Sequence, residues 1–204
     1  MGLLSRPFAA LYDRIIAPAE RAWLGDARRE LLAGLHGNVL ELGAGTGANF
    51  QHYPPGVTVV ALEPNPHMLK RAEARAAAAP VPVVLKQGDA QRLPFPDRAF
   101  DAVVATFVFC SIANPDRALA EVRRVAKPGA SLLMIDHVQA EAPSKRLILN
   151  LWNPVQQLLG DGCHSNRETA KTVRNAGFLV DEEREIAREL GVVPYVLIRA
   201  RVPT

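Results

Sequence analysis

The chain has 204 residues, and 49% of them are hydrophobic, which is enough to bury the core of one globular domain. Its formal net charge of +3 comes from Lys and Arg interleaved with Glu, a pattern typical of a solvated surface and not of a nucleic-acid-binding stripe. No apolar run approaches the roughly 18 residues needed to span a bilayer, so we expect a monomeric, cytoplasmic protein without a transmembrane segment.

Two helices are predicted ahead of the first strand. The first is predicted to end at Pro18, and the second runs from Trp23 to Leu32 before Gly34. The first has an apolar face formed by Leu4, Phe8, Leu11, Tyr12, Ile15 and Ile16. Such a face packs on its own domain by default, although it could also cover a pocket or make a weak peripheral contact with a membrane. We therefore assign residues 1–37 to an N-terminal helical lid.

Short β-rich runs alternate with helical runs over residues 38–138. Strands are predicted over NVLEL, TVVALE, VPVVLKQGD, FDAVVATFVFCSI and SLLMIDHV, and helices over HMLKRAEARAAAA and DRALAEVRRVAK. This alternation is typical of parallel βαβ units, and it predicts five strands of a doubly wound α/β sheet. We assign this segment to a cofactor-binding core.

The alternation breaks at residues 139–168. This segment contains two prolines, one tryptophan and several large apolar residues, and we predict that it is a substrate-side insertion. Ser165 and Glu168 have the spacing of a capping box, which predicts a helix that begins there and ends near Gly177.

Two strand-like runs close the chain. FLVDEERE and YVLIRARV are separated by a short link with Gly191 and Pro194, which predicts an antiparallel pair. Residues 169–204 therefore form a C-terminal helix and strand pair, and residues 1–204 form a single domain without internal repeats.

A glycine-rich turn directly follows the first predicted strand. Gly43, Gly45 and Gly47 lie within five positions, a spacing that lets the backbone approach a nucleotide-like ligand at a helix N-terminus. Glu63 ends the next strand 20 positions after Gly43, where a carboxylate can accept both hydroxyls of a ribose. The turn and the acid together predict an adenosine-containing cofactor.

Two further acids distinguish between cofactors of this type. Glu41 lies two positions before the first glycine, where its charge would crowd the pyrophosphate of NAD but suits a cofactor with an ammonium and a sulfonium. Asp89 ends the third strand, where it can accept a hydrogen bond from an adenine amino group. Asp89 could also be a turn residue or helix cap, and Glu41 a strand-end charge paired with Lys or Arg.

Five motifs stand in order over residues 39–136: ELGAGTG, EP, GDA, FD and RVAKPG. Together they resemble the class I S-adenosylmethionine-dependent methyltransferases. The resemblance implies a Rossmann-like, doubly wound seven-stranded sheet whose last strand is antiparallel, with helices on both faces. It also implies that S-adenosylmethionine is held by Glu41, Gly43, Ala44, Gly45, Gly47, Glu63, Pro64, Met68, Gly88, Asp89, Ala90 and Phe107.

A narrower resemblance extends over nearly the whole chain. It rests on RRELL, GTGANFQHYPPG, EPNPHM, DHV and LWNPVQQLLGDGC with the following Arg167 and Glu168. These motifs are similar to the methyltransferase-like microsomal alkyl-thiol S-methyltransferases, which carry an N-terminal membrane anchor that we expect this chain to lack. The resemblance implies a soluble bacterial-type relative that methylates a small, fairly apolar thiol, in detoxification or in capping of a natural product.

Few residues are candidates for the chemistry of such a transfer. A thiol with a pKa near 8.5 is partly ionised at neutral pH, so one weak base is enough. His137 and Asp136 at the carboxyl end of the fifth strand are the predicted catalytic residues, together with His164. His137 could instead satisfy a strand-end carbonyl. The residues predicted to bind the acceptor are Phe8, Tyr12, Cys110, Trp152 and Arg167.

The two cysteines have no pattern typical of a metal site. Cys110 and Cys163 lie 53 positions apart without a CxxC pair, so neither a zinc cluster nor a disulfide is indicated. Cys163 lies beside His164, but a direct methyl transfer needs no enzyme-bound intermediate.

Two alternative functions remain open at this point. Within the methyltransferases, the acceptor could be a lipid headgroup or a quinol, methylated on nitrogen or carbon. In another class, the chain could be a nucleotide-binding module or an NAD-dependent oxidoreductase, although it lacks the second domain with which a dehydrogenase normally binds its substrate.

Overall fold

The computed structural model describes residues 5–159, 162–189 and 192–204. Leu4 and Gly191, which enter the predictions above, lie outside these ranges. The helices are α1 (Ser5–Ala19), α2 (Gly25–Leu32), α3 (Pro66–Ala77), α4 (Pro115–Val125), α5 (Pro143–Leu159) and α6 (Thr169–Asn175). The strands are β1 (Gly37–Leu42), β2 (Val57–Glu63), β3 (Val83–Gln87), β4 (Phe100–Thr106), β5 (Ala126–His137), β6 (Leu179–Glu189) and β7 (Val193–Arg201). Within the described ranges, no helix combines the length and the apolarity that crossing a bilayer requires.

Seven strands form one sheet in the order β3-β2-β1-β4-β5-β7-β6. Strands β1 to β5 are parallel to one another, whereas β7 lies antiparallel between β5 and β6. The predicted Rossmann-like sheet with an antiparallel last strand is confirmed. The strand order reverses between β1 and β4, and ligands of such sheets bind beside this reversal at the carboxyl ends of the strands.

Helices cover both faces of the sheet, as predicted. Alternate residues of each central strand point to opposite faces, so that Val103 of β4 joins one apolar cluster and Val104 joins the other. Residues of α4 and α6 pack in the first cluster, and residues of α2 and α3 pack in the second. This packing fixes the carboxyl ends of β1, β2, β4 and β5 at one edge, where the candidate residues lie.

Helices α1 and α2 are joined by a π-helical turn (Glu20–Leu24), so the prediction that the first helix ends at Pro18 is wrong. A proline removes one backbone hydrogen bond of the preceding turn, but the helix can continue beyond it. The wider π turn then carries the chain onward, and Gly25 N–H donates to Glu20 O. A Cβ at Gly25 would lie 2.9 Å from that oxygen, so a larger residue would crowd the turn.

The predicted insertion contains α5, a 17-residue helix with Pro154 inside it. Leu149 is buried against the rest of the protein. Five other large apolar residues of α5 are exposed: Leu147, Ile148, Leu151, Trp152 and Val155.

Helix α6 begins at Thr169, and the predicted capping box is wrong. Ser165 Oγ donates instead to Gln156 Oε1 at 2.6 Å, which ties this loop to α5. Glu168 precedes the helix but makes no capping hydrogen bond. Gly177, with a left-handed φ of 83°, follows the last turn of α6, so the predicted end of the helix is confirmed.

Candidate active site

The glycine-rich turn follows β1 at the carboxyl edge of the sheet. Its φ values are 57° at Gly43 and Gly45 and 84° at Gly47, a region that other residues enter only at a cost. The chain then makes further turns and a short 3-10 helix (Phe50–His52) before Pro54. The expectation of a helix N-terminus behind the turn is wrong, because the positive φ values at every second residue, Gly43, Gly45 and Gly47, lie outside the α-helical region.

The three glycines of this turn have different surroundings. A Cβ at Gly43 would lie 2.6 Å from Val108 Cγ2, and one at Gly47 would lie 2.5 Å from Phe50 Cε2. At Gly45 the nearest atom would be Gly43 O at 3.9 Å, so the space beside this residue is open. The turn is therefore packed tightly at two glycines and accessible at the third, which fits a cradle for a bound cofactor.

We expect Gly47→Ala to destabilise the protein more than Gly56→Ala does. Both glycines have a left-handed φ, 84° and 86°, so the backbone cost of about 1 kcal/mol is shared. The new Cβ at residue 47 would clash with the ring of Phe50, whereas the one at residue 56 would have no atom within 4 Å. Overpacking of this kind lowers the free energy of unfolding by about 2 kcal/mol beyond the shared backbone cost. Urea unfolding of the two variants measures the difference, and equal losses of stability would contradict the close approach.

Glu63 ends β2 and its carboxylate contacts the glycine-rich turn. Oε2 accepts a hydrogen bond from Gly45 N at 2.8 Å, and Oε1 accepts one from Asn65 N at 2.9 Å. Each oxygen of a carboxylate can accept more than one hydrogen bond, so the predicted contact of Glu63 with ribose hydroxyls is compatible with these two bonds and stays a prediction. After Glu63, Pro64 is exposed and Met68 of α3 is buried.

The Gly88-Asp89-Ala90 segment follows β3. Asp89 is exposed, and its Oδ1 accepts from Gln91 N at 2.9 Å and from Gln91 Nε2 at 3.0 Å, as a turn residue does. A Cβ at Gly88 would lie 2.7 Å from Leu62 Cδ1, so this backbone approaches β2 closely. The contact of Asp89 with adenine stays a prediction.

Glu41 lies buried beneath the turn, at 1% exposure. Its Oε1 accepts from Asn49 Nδ2 at 2.9 Å and its Oε2 accepts from Tyr53 OH at 2.7 Å. Burial raises the pKa of Glu41 to about 7, although both hydrogen bonds and the nearby Arg28 lower it. Glu41 therefore holds the segment that follows the glycines, and its predicted contact with the cofactor stays a prediction.

The buried Glu41 carboxyl gives a pH-dependent stability with a defined sign. Its pKa is about 7 in the folded protein and 4.5 in the unfolded chain, so between these values the folded state holds the extra proton. This contribution to stability is full below about pH 4.5 and is lost as the pH rises to about 7. We therefore expect the free energy of unfolding of Glu41→Gln to increase relative to that of wild type by on the order of 2 kcal/mol as the pH rises from about 4.5 to about 7.

Unfolding by urea at pH 4.5, 5.5, 6.5 and 7.5 measures this gain. Glu73→Gln, on the exposed side of α3, provides the control for a lost carboxylate. A constant difference between Glu41→Gln and wild type across these pH values would contradict the raised pKa.

Arg28 connects α2 to this buried network, and the sequence did not single it out for a role. It is 2% exposed, and its Nη1 donates to Asn49 Oδ1 at 2.7 Å and to Thr106 Oγ1 at 2.9 Å. Its Nη2 lies 2.9 Å from Glu20 Oε1. The sequence could have indicated its burial, because Arg28 lies next to Ala27 and three residues before Leu31, on the apolar face of α2. A charge on a buried face needs polar partners.

Helix α1 lies across the glycine-rich turn. Thr46 Oγ1 donates to Asp13 Oδ1 at 2.7 Å, and Arg75 of α3 donates to Thr46 Oγ1 at 2.6 Å. The ring of Phe8 contacts that of Tyr12 edge-on at 5.5 Å. Burial raises the pKa of Tyr12 to about 12. The segment predicted to be a lid is thus fastened to the turn through Asp13.

Four rings form an aromatic wall beside the end of β5: Trp23, Phe107, His137 and Tyr195. The centroid of His137 lies 4.7 Å from that of Tyr195 and 5.1 Å from that of Phe107, and Trp23 lies 4.9 Å from Tyr195. Phe107 has a φ of 60°, a strained value for an aromatic residue, which persists only where the surroundings enforce it. Of the four, Trp23 and Tyr195 were not predicted as site residues, because they lie on distant elements, the π-helical turn before α2 and strand β7.

Asp136 is 1% exposed, and both of its oxygens accept from backbone amides. Oδ2 accepts from Cys110 N and Oδ1 from His137 N, each at 3.0 Å. Burial raises its pKa to about 6, with the nearby His137 and Cys110 acting in the opposite direction. These contacts let Asp136 fix two backbone segments relative to each other, and its predicted catalytic role stays a prediction.

The two cysteines and His137 come together at the aromatic wall. Both cysteines are buried and reduced, and Cys163 Sγ lies 3.5 Å from His137 Nδ1. One ligand atom from each of the three residues lies within 4.8 Å of the others. The neighbouring Cys110 thiol lowers the pKa of Cys163 against the cost of burial, and His137 lowers it further. Sequence spacing could not indicate this cluster, because its members follow β4, end β5 and follow α5.

The other predicted acceptor-side residues brace the loop that carries Cys110. Nδ1 of His164 lies 2.7 Å from Gly162 O and 3.2 Å from Cys110 O. Arg167 donates to the carbonyl oxygens of Phe109 and Ile112. Trp152 is 52% exposed on α5. The catalytic role predicted for His164 and the acceptor contacts predicted for Arg167 and Trp152 stay predictions.

Comparison with known proteins agrees with this geometry. Residues 40–134 match the family model described as a methyltransferase domain. The human protein named Thiol S-methyltransferase TMT1B is 39% identical over 178 residues, which cover 80% of this chain and 72% of that relative. A demethylmenaquinone methyltransferase from Deinococcus radiodurans is 35% identical over 130 residues, 62% of this chain and 54% of that relative. The crystal structure of an S-adenosylmethionine-dependent methyltransferase from Thermotoga maritima shares the fold, with a TM-score of 0.74 at 22% identity over 99% of this chain and all of that one.

Proposed function

Because this chain belongs to the S-adenosylmethionine-dependent methyltransferases, we propose that its acceptor is a small, fairly apolar thiol. The family membership gives S-adenosylmethionine as the cofactor and excludes the NAD-dependent oxidoreductase. The predicted monomeric state and cytoplasmic location stay predictions.

The cofactor side of the site fits this family. When bound, S-adenosylmethionine supplies a methyl group that its sulfonium makes electrophilic. Gly45 leaves open space beside the turn, and Glu63 offers carboxylate oxygens to ribose hydroxyls at the end of β2. Glu41 keeps the turn in place from below through Asn49 and Tyr53.

The similarity to a thiol S-methyltransferase over 72% of its length is the observation that carries the proposal. The match to the demethylmenaquinone methyltransferase covers a smaller part of both chains. It keeps a quinol as the second candidate acceptor, and a lipid headgroup remains the other alternative from the sequence.

The aromatic wall supports an apolar acceptor that reacts away from water. Attack of a thiolate on a sulfonium merges opposite charges into neutral products, and a water-poor site favours such a reaction. Phe107 and Tyr195 present ring surface around His137, while α1 lies across the neighbouring turn. His137 remains the predicted weak base for a thiol that is partly ionised at neutral pH.

A panel of acceptors with a labelled methyl donor tests the proposal. The purified protein is incubated with S-adenosylmethionine labelled in its methyl group and, separately, with an alkyl thiol, the alcohol of the same carbon skeleton, a quinol and an aminolipid. We expect the label in the thioether product by mass spectrometry and none in the alcohol. Label in the quinol or aminolipid with the thiols unmodified would overturn the thiol assignment.

A further inference from the structure

The cluster of Cys110, Cys163 and His137 has the composition of a metal site. Two thiol sulfurs and one imidazole nitrogen are ligands that zinc prefers, and three protein ligands leave a fourth position open. Both cysteines are buried, at 1% and 7% exposure, so their grouping is not a chance surface arrangement. The direct methyl transfer described above uses neither thiol as a nucleophile, and the acceptor contact predicted for Cys110 is its one assigned role.

The distances within the cluster suit tetrahedral coordination. Zinc lies about 2.3 Å from sulfur and about 2.0 Å from nitrogen, so a tetrahedral site separates sulfur from nitrogen by about 3.6 Å. Cys163 Sγ and His137 Nδ1 are 3.5 Å apart. Two sulfurs in such a site would be separated by about 3.8 Å, and the three ligand atoms all lie within 4.8 Å of one another. Side-chain adjustments of about 1 Å would therefore bring all three onto one ion.

Surrounding contacts hold the ligands in position. Asp136 accepts from the backbone amides of Cys110 and His137, so it ties two of the three ligand-bearing segments together. Gln156 Nε2 lies 3.5 Å from Cys163 Sγ, within the range of a weak hydrogen bond to the third ligand. Arg167 holds the loop of Cys110 through two carbonyl oxygens. Supporting contacts of this kind orient the ligands of established metal sites.

We propose that Cys110, Cys163 and His137 bind a zinc ion whose open fourth position takes the sulfur of the acceptor. Binding of zinc by the three side chains does not depend on the proposed function, whereas binding of the acceptor sulfur rests on the proposed thiol acceptor. Coordination would remove the thiol proton to solvent, because a thiol bound to zinc is deprotonated outright, so His137 would serve as a ligand in place of the weak base named above. The acceptor sulfur then forms a bond to the methyl carbon, the bond from that carbon to the sulfonium sulfur breaks, and its electron pair neutralises the sulfonium. The thioether product is a weaker ligand than a thiolate and leaves the metal.

Cobalt substitution tests the site with a readout that does not depend on activity. The protein is stripped with a chelator, kept reduced with a phosphine in place of a thiol reductant, and titrated with Co²⁺. We expect one equivalent to bind with a thiolate-to-cobalt charge-transfer band, and Zn²⁺ to displace it. Cys110→Ser, Cys163→Ser and His137→Gln should each weaken binding more than about 100-fold, beyond the effect of losing a supporting contact. His36→Gln, which changes an exposed histidine elsewhere, should bind as wild type does.

Binding of the acceptor sulfur to the metal is tested on the cobalt-loaded protein. Addition of an alkyl thiol should intensify and shift the charge-transfer band, whereas the alcohol of the same skeleton should leave it unchanged. Absence of the band, or formation of a disulfide between the cysteines in its place, overturns the metal site even if thiols are methylated. A band that appears but does not respond to thiols overturns the acceptor position alone. If the band responds and no thiol is methylated, the metal site stands and the proposed function fails.

Discussion

Replacing Arg28 with methionine is expected to lower the free energy of unfolding by about 4 kcal/mol, because it breaks a buried ion pair and leaves polar partners unpaired. The guanidinium is almost fully enclosed and reaches Glu20, Asn49 and Thr106. Methionine fills part of the volume but donates no hydrogen bond. Loss of Arg28 should also raise the pKa of Glu41 further, since the positive charge lowers it in the wild type.

Arg29→Met is the matched control for this substitution. Arg29 pairs with Asp26 on the exposed side of the same helix, with 67% and 81% of the two side chains accessible. Such surface pairs contribute about 0.5 kcal/mol or less. Chemical denaturation of both variants at one pH measures the contrast, and a loss at residue 28 no larger than that at residue 29 would refute the role of the network.

Glu63→Ala is expected to weaken binding of S-adenosylhomocysteine about 100-fold. Two hydrogen bonds from ribose hydroxyls to a carboxylate contribute about 1.5 kcal/mol each, and the sum corresponds to this factor. The substitution also removes the acceptors of Gly45 N and Asn65 N, which hold the turn against β2. Isothermal titration calorimetry measures the affinity.

Two companion variants separate binding from folding at this position. Glu63→Gln keeps a carbonyl acceptor of the same shape, so we expect a loss of about 10-fold, since one charge-assisted contact is weakened and another is lost. Glu73→Ala removes an exposed carboxylate from α3 and should bind the ligand as wild type does. Wild-type affinity of Glu63→Ala with a cooperative thermal transition would exclude Glu63 from the cofactor site.

The central sheet could be predicted from sequence because its strands leave a strong pattern. β4 is buried on both faces, and Ala102 to Ala105 form the continuous apolar run that a parallel central strand requires. Gly43 and Glu63 lie directly after such runs, so their meeting at one edge of the sheet also followed from sequence. Features of this kind can be predicted from sequence because they depend on only a few residues that are adjacent in the chain.

The acceptor side depends on contacts between distant segments, and the sequence carries little trace of them. Cys110 and Cys163 are brought together through a loop after β4 and a segment beyond α5, so no local spacing relates them. Ser165 matched a capping box but bonds to Gln156, because a partner from α5 is available in the folded protein. Arg28 resembled a surface charge until the packing of α2 showed it buried.

The position of β7 within the sheet has a consequence for folding. β7 comes last among the strands but pairs with β5, across 58 to 70 positions from His137↔Tyr195 to Ser131↔Arg201. Until that distant pairing forms, β5 exposes a row of unpaired N–H and C=O groups that other chains can join. We therefore expect the yield of refolding to fall steeply with protein concentration, with aggregates built on the edge of β5, even where the native protein itself stays dispersed.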